Sequence, residues 1–93
     1  MSAALTRDSM PRLAAGVRLK HDRVRGGTVL LAPERVLIPD AVAVEVLALL
    51  DGARSVSDVA AVLAESYDAP AATIERDVLA LLEDMADKGV IAA

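Results

Sequence analysis

The stretch LLAPERVLIPD, residues 30–40, decides how the rest of the chain is read. Two β-type apolar runs, Val29-Leu30-Leu31 and Val36-Leu37-Ile38, flank the corner Ala32-Pro33-Glu34-Arg35. Pro33 fits the second position of a tight turn, where its fixed φ is already correct. The runs therefore read as paired antiparallel strands. The second run carries no internal charge and stops at Pro39. At the edge of a sheet, such a strand presents unpaired N–H and C=O groups that soluble proteins usually disguise.

On the N-terminal side, Val17, Leu19 and His21 alternate with Arg18, Lys20 and Asp22. That is the period-two pattern of a half-buried strand. Gly26-Gly27 reads as the tight turn after it, because glycine accepts positive φ. Thr28–Ala32 is then the second strand and Arg35–Ile38 the third. On the C-terminal side the period changes to that of helices. Asp40 suits an N-cap, its carboxylate accepting free N–H groups of the first turn. Ala43, Val46, Leu47 and Leu50 share one face, and Asp51-Gly52 ends that helix. Ser55 opens a second helix, with Asp58 in place of Glu in a capping box. Val56, Val59, Ala60, Leu63 and Tyr67 follow at helical spacing. Pro70 marks the next start. Ile74, Val78, Leu81, Leu82 and Met85 form the stripe of a third helix, which Lys88 suits electrostatically and Gly89 stops. Val90-Ile91 returns as a short extended piece.

The order β-β-β-α-α-α predicts an α+β domain, a three-stranded antiparallel sheet followed by a three-helix bundle, winged helix-turn-helix-like. Residues 1–12 are expected to be a flexible N-terminal segment, with a single domain over 13–93. The chain has 93 residues, 55% of them apolar, with one Tyr and no Phe or Trp. The core must therefore be aliphatic. The absence of cysteine excludes disulfides and thiolate chemistry. No apolar run approaches the ~20 residues of a membrane helix, and the N-terminus lacks a signal core. A soluble, cytoplasmic protein with no membrane partner is expected. Residues 1–35 hold seven Lys/Arg against three Asp/Glu, and residues 36–93 hold three against eleven. Either a partner uses this asymmetry or the two halves attract each other.

Catalytic chemistry finds little support. His21 is the only histidine, and on a strand its neighbour Asp22 points to the opposite face. Glu83, Asp84 and Asp87 read as a solvated helix face rather than a metal site. Gly26-Gly27 is followed by a strand, not by the helix a phosphate-binding loop requires. Neither GxSxG nor HExxH occurs. A non-enzyme without a cofactor or metal is expected. The alternative is a winged-helix DNA-binding domain, with Arg18, Lys20, Arg23 and Arg25 as a basic wing. Against it, the second helix carries Asp58, Glu65 and Asp68 and no Lys or Arg. Such a surface repels a phosphate backbone, so no nucleic-acid partner is expected.

The first strand's edge is defended by Arg18, Lys20, Asp22 and Arg23. The third strand has only Arg35. Three things can cover it: the chain's own C-terminal VIAA, a second copy (a monomer or weak homodimer is expected), or an incoming peptide that adds a strand. Main-chain hydrogen bonds contribute ~1 kcal/mol net each. Ordering a peptide residue costs ~1–2 kcal/mol. Apolar anchors must therefore supply the surplus, ~1.5–3 kcal/mol per buried side chain. Met85 and Leu81 are the preferred groove candidates, since Met adapts to varied partners.

GVRLKHDRVRGGTVLLAPERVL, with DG at 51–52, DV at 77–78 and KG at 88–89, resembles the pyrroloquinoline quinone biosynthesis protein D (PqqD) family over about residues 10–91. The resemblance implies the fold of the RiPP recognition element and a role as a peptide chaperone, not a catalyst. Members bind the ribosomal precursor peptide PqqA and present it to the radical SAM enzyme PqqE, which cross-links a Glu and a Tyr. It further implies that the leader lies as an antiparallel strand on the third strand, over the third helix. By position that maps onto Arg35, Val36, Leu37, Ile38, Ile74, Val78, Leu81, Leu82 and Met85. Arg18 and Arg35 become candidate contacts for acidic groups of peptide or enzyme.

The acidic helices predict no salt-dependent retention on immobilised heparin or duplex DNA. Retention that rising salt reverses would return the DNA-binding reading to first place.

Overall fold

Alternating side chains and aspartate-capped corners set the observed elements. In the computed structural model, which describes residues 4–93, these are β1 (Arg12–Leu13), β2 (Arg18–Asp22), β3 (Gly27–Ala32), β4 (Arg35–Leu37), α1 (Ala41–Ala48), α2 (Val56–Ala64), α3 (Ala71–Asp87) and β5 (Ile91–Ala92). The expected meander forms an antiparallel sheet in the order β2-β3-β4. Its register places Leu19 beside Leu30 and Leu30 beside Leu37. Residues directly opposite share a face, so these leucines form one row against the helices. Leu30 is fully buried. The same rule puts Arg18, Leu31 and Val36, and likewise Lys20 and Val29, on the outer face.

The β2–β3 corner differs from the expected two-residue Gly26-Gly27 turn. Residues 23–26 form the loop and Gly27 already belongs to β3. Gly26 alone takes positive φ, +77°. Asp22 organises the loop. Its Oδ1 accepts the Val24 and Arg25 N–H groups at 3.0 and 3.3 Å. Its carbonyl accepts the Gly26 N–H at 2.8 Å.

Asp40 caps α1, its Oδ1 accepting the Ala43 N–H at 2.8 Å. Ser55 and Asp58 complete a reciprocal capping box at α2, each bond 3.0 Å; the shorter Asp reaches as Glu would. α1 ends at Ala48, earlier than Asp51-Gly52 suggested. Asp51 instead accepts the Ala53 and Arg54 N–H groups of the next turn, at 2.9 and 2.8 Å. α3 ends as expected at Gly89, φ +75°. The Gly89 N–H donates to Ala86 O at 2.9 Å and the Val90 N–H to Met85 O at 3.1 Å. This double bond pattern satisfies the helix's last carbonyls and buries Val90.

That turn delivers the C-terminal residues to the N-terminal segment. β5 pairs antiparallel with β1, Arg12 opposite Ala92 and Leu13 opposite Ile91. The sequence reading expects residues 1–12 to be flexible. Positions 1–3 lie outside the described residues, whereas the segment after them is held at several points. Ser9 O accepts the Val56 N–H at 2.9 Å, Arg7 O the Ser57 N–H at 3.0 Å, and Pro11 O the Gly52 N–H at 3.1 Å. Arg7 Nε also meets Glu75 Oε1 at 2.8 Å. Pro11 is fully buried. An irregular backbone held by hydrogen bonds to distant residues leaves no periodic signature, which is why sequence pattern did not reveal it.

The core is aliphatic, as composition required. Leu30, Leu47, Leu82, Val46, Val56, Val59 and Val90 are less than 2% exposed. Electrostatic attraction between the basic and acidic halves is slight. Among the described residues only the Arg7–Glu75 ion pair joins them, and the other four ion pairs are local. Exposed pairs of this kind contribute up to ~1 kcal/mol.

Ser55→Ala removes half of the capping box. It should cost about 1 kcal/mol and lower the melting temperature by about 4–8 °C, as read by circular dichroism. Leu82→Ala should cost about 2–5 kcal/mol, because the side chain is fully enclosed.

Candidate functional site

β4 ends at Leu37 and α1 begins at Ala41. The short link, with Pro39 before the Asp40 cap, ties the end of the strand to the amino end of the helix. Among the described residues no strand pairs with the far side of β4, since the sheet ends there and β5 lies on β1. Of the three occupants considered for this edge, the chain's own tail is thus committed elsewhere.

Two cavities lie near the ends of β4, one three residues past its end through Asp40 and one at its start through Arg35. One, of about 400 Å³, has walls from Val42 and Val46 of α1, Leu63 of α2, and Ile74, Val78 and Leu81 of α3. Asp40, Asp77 and Tyr67 stand around it. The other, of about 440 Å³, joins Glu34 and Arg35 to Gly89 and Val90. The start of β4 therefore faces the carboxyl end of α3, and Asp40, in the link after β4, shares a cavity with Ile74, Asp77, Val78 and Leu81 of that helix. The sheet's outer face holds a third, open concavity over Val29, Leu31, Val36 and Ile38, edged by Lys20, Arg23 and Arg25.

These positions divide the predicted peptide-binding residues. Leu37 is half-buried and packs with the core on the helix side. Val36 and Ile38 are 55% and 67% exposed, and their side chains lie on the outer face. They offer backbone to the edge but not side chains to the cleft. Ile74 and Leu81, both half-buried, and Val78 line the cavity. Leu82 is fully buried and Met85 is 8% exposed. Both belong to the core and support the cleft from beneath, so Met85 is a poorer groove candidate than Leu81. A single helical stripe held all five; the period gives the direction of a side chain but not the depth of the layer covering it.

Sequence reasoning missed Asp40, Val42, Tyr67 and Asp77 as cavity residues. Val42 offered a signal: it is apolar, yet off the face formed by Ala43, Val46, Leu47 and Leu50, and it is 50% exposed. Helical spacing puts Tyr67 on the α2 core stripe, but α2 stops at Ala64. The following turn leaves the phenol partly exposed, donating to Glu45 Oε2 at 2.7 Å. His21 and Glu83 are exposed, and Asp84 is engaged by Lys88 at 2.6 Å. None of them reaches this cavity.

Residues 27–91 match the family model described as Coenzyme PQQ synthesis protein D (PqqD). A relative from Rhodopseudomonas palustris (strain TIE-1), named PqqA binding protein, is 50% identical over 88 residues, spanning 95% of this chain and 86% of its own. One from Xanthomonas oryzae pv. oryzae (strain KACC10331 / KXO85) with the same name is 48% identical, covering 96% and 97%. The solution structure of the PqqD truncation of Methylobacterium extorquens PqqCD, described as a functional and stand-alone RiPP recognition element, is similar with a TM-score of 0.83 and 47% identity, covering 97% and 96%. Lasso peptide synthetase B1 complexed with the leader peptide shares the fold, with a TM-score of 0.76 at 23% identity over 91% of this chain and 100% of that one.

The hydrogen bond to Glu45, and then desolvation and the Glu45 charge, raise the Tyr67 pKa above its ordinary value. A raised pKa adds stability that is complete below the unfolded-state pKa and is lost as pH climbs through the folded one. Glu45→Ala should therefore move the phenolate absorbance titration to lower pH. The chain has one tyrosine, so the signal is unambiguous.

Proposed function

The chain belongs to the PqqD family of coenzyme PQQ synthesis proteins, and on that premise we propose that it is a non-catalytic peptide chaperone that binds the precursor peptide PqqA by strand addition to β4 and presents it to the radical SAM enzyme PqqE. One observation carries the reading: β4 is an edge strand without a partner among the described residues, and the link that follows it borders an apolar cavity through Asp40. The names of its relatives, PqqA binding protein, support the peptide as the ligand.

The guest lies antiparallel to β4. Its backbone pairs along Arg35–Ile38, while alternate side chains face the two sides of the sheet. One set meets Leu37, Ile74, Val78 and Leu81; the other continues the outer row of Val36 and Ile38. Main-chain bonds fix direction and register but barely exceed the ordering entropy, ~1 kcal/mol against ~1–2 kcal/mol per residue. Affinity therefore depends on guest apolar groups entering the cavity, each worth ~1.5–3 kcal/mol if fully buried. Strand addition leaves the remainder of the peptide unbound, and that remainder is what the enzyme receives. No reacting group is needed from the chaperone.

Amide shift mapping with the PqqA peptide should perturb residues 35–38 together with Ile74, Asp77 and Leu81. Perturbation confined to β2 and the outer face would overturn the reading. Leu81→Asp should weaken binding at least tenfold while circular dichroism shows an unchanged fold. Undiminished affinity would remove the cavity from the site.

A further inference from the structure

The cavity at the end of β4 is apolar in its walls but one-signed at its rim. Val42, Ile74 and Leu81 supply aliphatic surface, and Asp40 and Asp77 are the charged residues that line it; no Lys or Arg does. Glu45 stands behind, holding the Tyr67 hydroxyl at 2.7 Å. The nearest cation, Arg76, touches Asp77 at 3.7 Å, but both side chains are more than 70% exposed, so the contact neutralises little. Asp40 spends Oδ1 on the Ala43 N–H. The positive end of the α1 dipole opposes a cation there, but it amounts to about half a charge and the Asp40 cap already faces it.

An apolar cavity with two exposed carboxylates in its lining fits a long aliphatic stem with a cationic head. Lysine and arginine have that form, burying the methylenes while the charged tip stays in water. We infer that this cavity is a subsite for a Lys or Arg side chain of the bound peptide, its stem against Val42, Ile74 and Leu81 and its head between Asp40 and Asp77. The inference rests on the reading of β4 as the guest's partner strand and adds a position to it. The cavity lies beyond the carboxyl end of β4. An antiparallel guest therefore reaches it with residues just N-terminal to its paired stretch.

The test uses the full chain, its Asp77→Lys variant and three forms of the PqqA peptide. These are the natural sequence, one with each Lys and Arg N-terminal to the β4-paired stretch changed to Met, and one with the same positions changed to Glu. Asp77 is exposed, so the variant should fold, and circular dichroism verifies it. Asp77→Lys should weaken the natural peptide about three- to tenfold at low salt. It should leave the Met form unaffected and strengthen the Glu form. These differences should shrink in 1 M salt, where the screening length is about 3 Å.

Equal binding of the natural peptide to both proteins, or an equal loss with the Met form, would overturn the subsite. Amide shifts at 35–38 separate the two readings. If they persist while the charge dependence is absent, only the subsite falls. If they are absent in the unsubstituted protein, strand addition falls and the subsite with it.

Discussion

The pairing of β5 with β1 determines which edge of the molecule stays open. The double hydrogen bond around Gly89 ends α3 and turns the chain sharply, sinking Val90 into the core and laying Ile91 beside Leu13. The N-terminal segment is there to receive it because Pro11, Ser9 and Arg7 are bonded to the helical half through their carbonyls. Two short strands thus pair the apolar tail with β1 rather than with β4. The edge remains available although the chain carries a segment of suitable composition to cover it.

The cleft beside that edge shares its wall with the core. α3 turns Leu82 fully inward, while Ile74 and Leu81 stand at the boundary. Filling the cleft therefore does not require opening the core, since the buried row already stabilises the helix position. The two sides of β4 also differ. Beyond its carboxyl end, on the helix side, lies an apolar recess with Asp40 and Asp77 in its lining, and its outer side has a concavity in which Val29, Leu31, Val36 and Ile38 stand among Lys20, Arg23 and Arg25. A strand added to β4 would meet both at once, because successive side chains alternate.

Much of the fold was legible because its signals are local. Asp40 and Ser55 mark helix starts through hydrogen bonds made within three residues, and Gly89 marks a helix end through its own φ. The leucine row across the sheet follows from period two. What escaped detection depends on distant partners. Arg12 and Leu13 form a strand only because Ile91 and Ala92 lie opposite. The hairpin loop spans four residues, 23–26, rather than the two that Gly26-Gly27 implied, because Asp22 caps it. The candidate site divided in the same way. β4 announced itself by its lack of charge. The cavity draws Val42, Tyr67 and Ile74 from different elements, and no spacing in one dimension brings them together.

Tyr67 is the chain's sole aromatic residue, and it sits at the mouth of the cavity with its hydroxyl held by a carboxylate. A carboxylate acceptor quenches phenol emission, and displacement of water alters it again. The protein accordingly carries a built-in optical reporter at one defined place, free of background from tryptophan. With a guest that contains neither tyrosine nor tryptophan, ultraviolet-excited fluorescence of the unlabelled molecule would report on that recess.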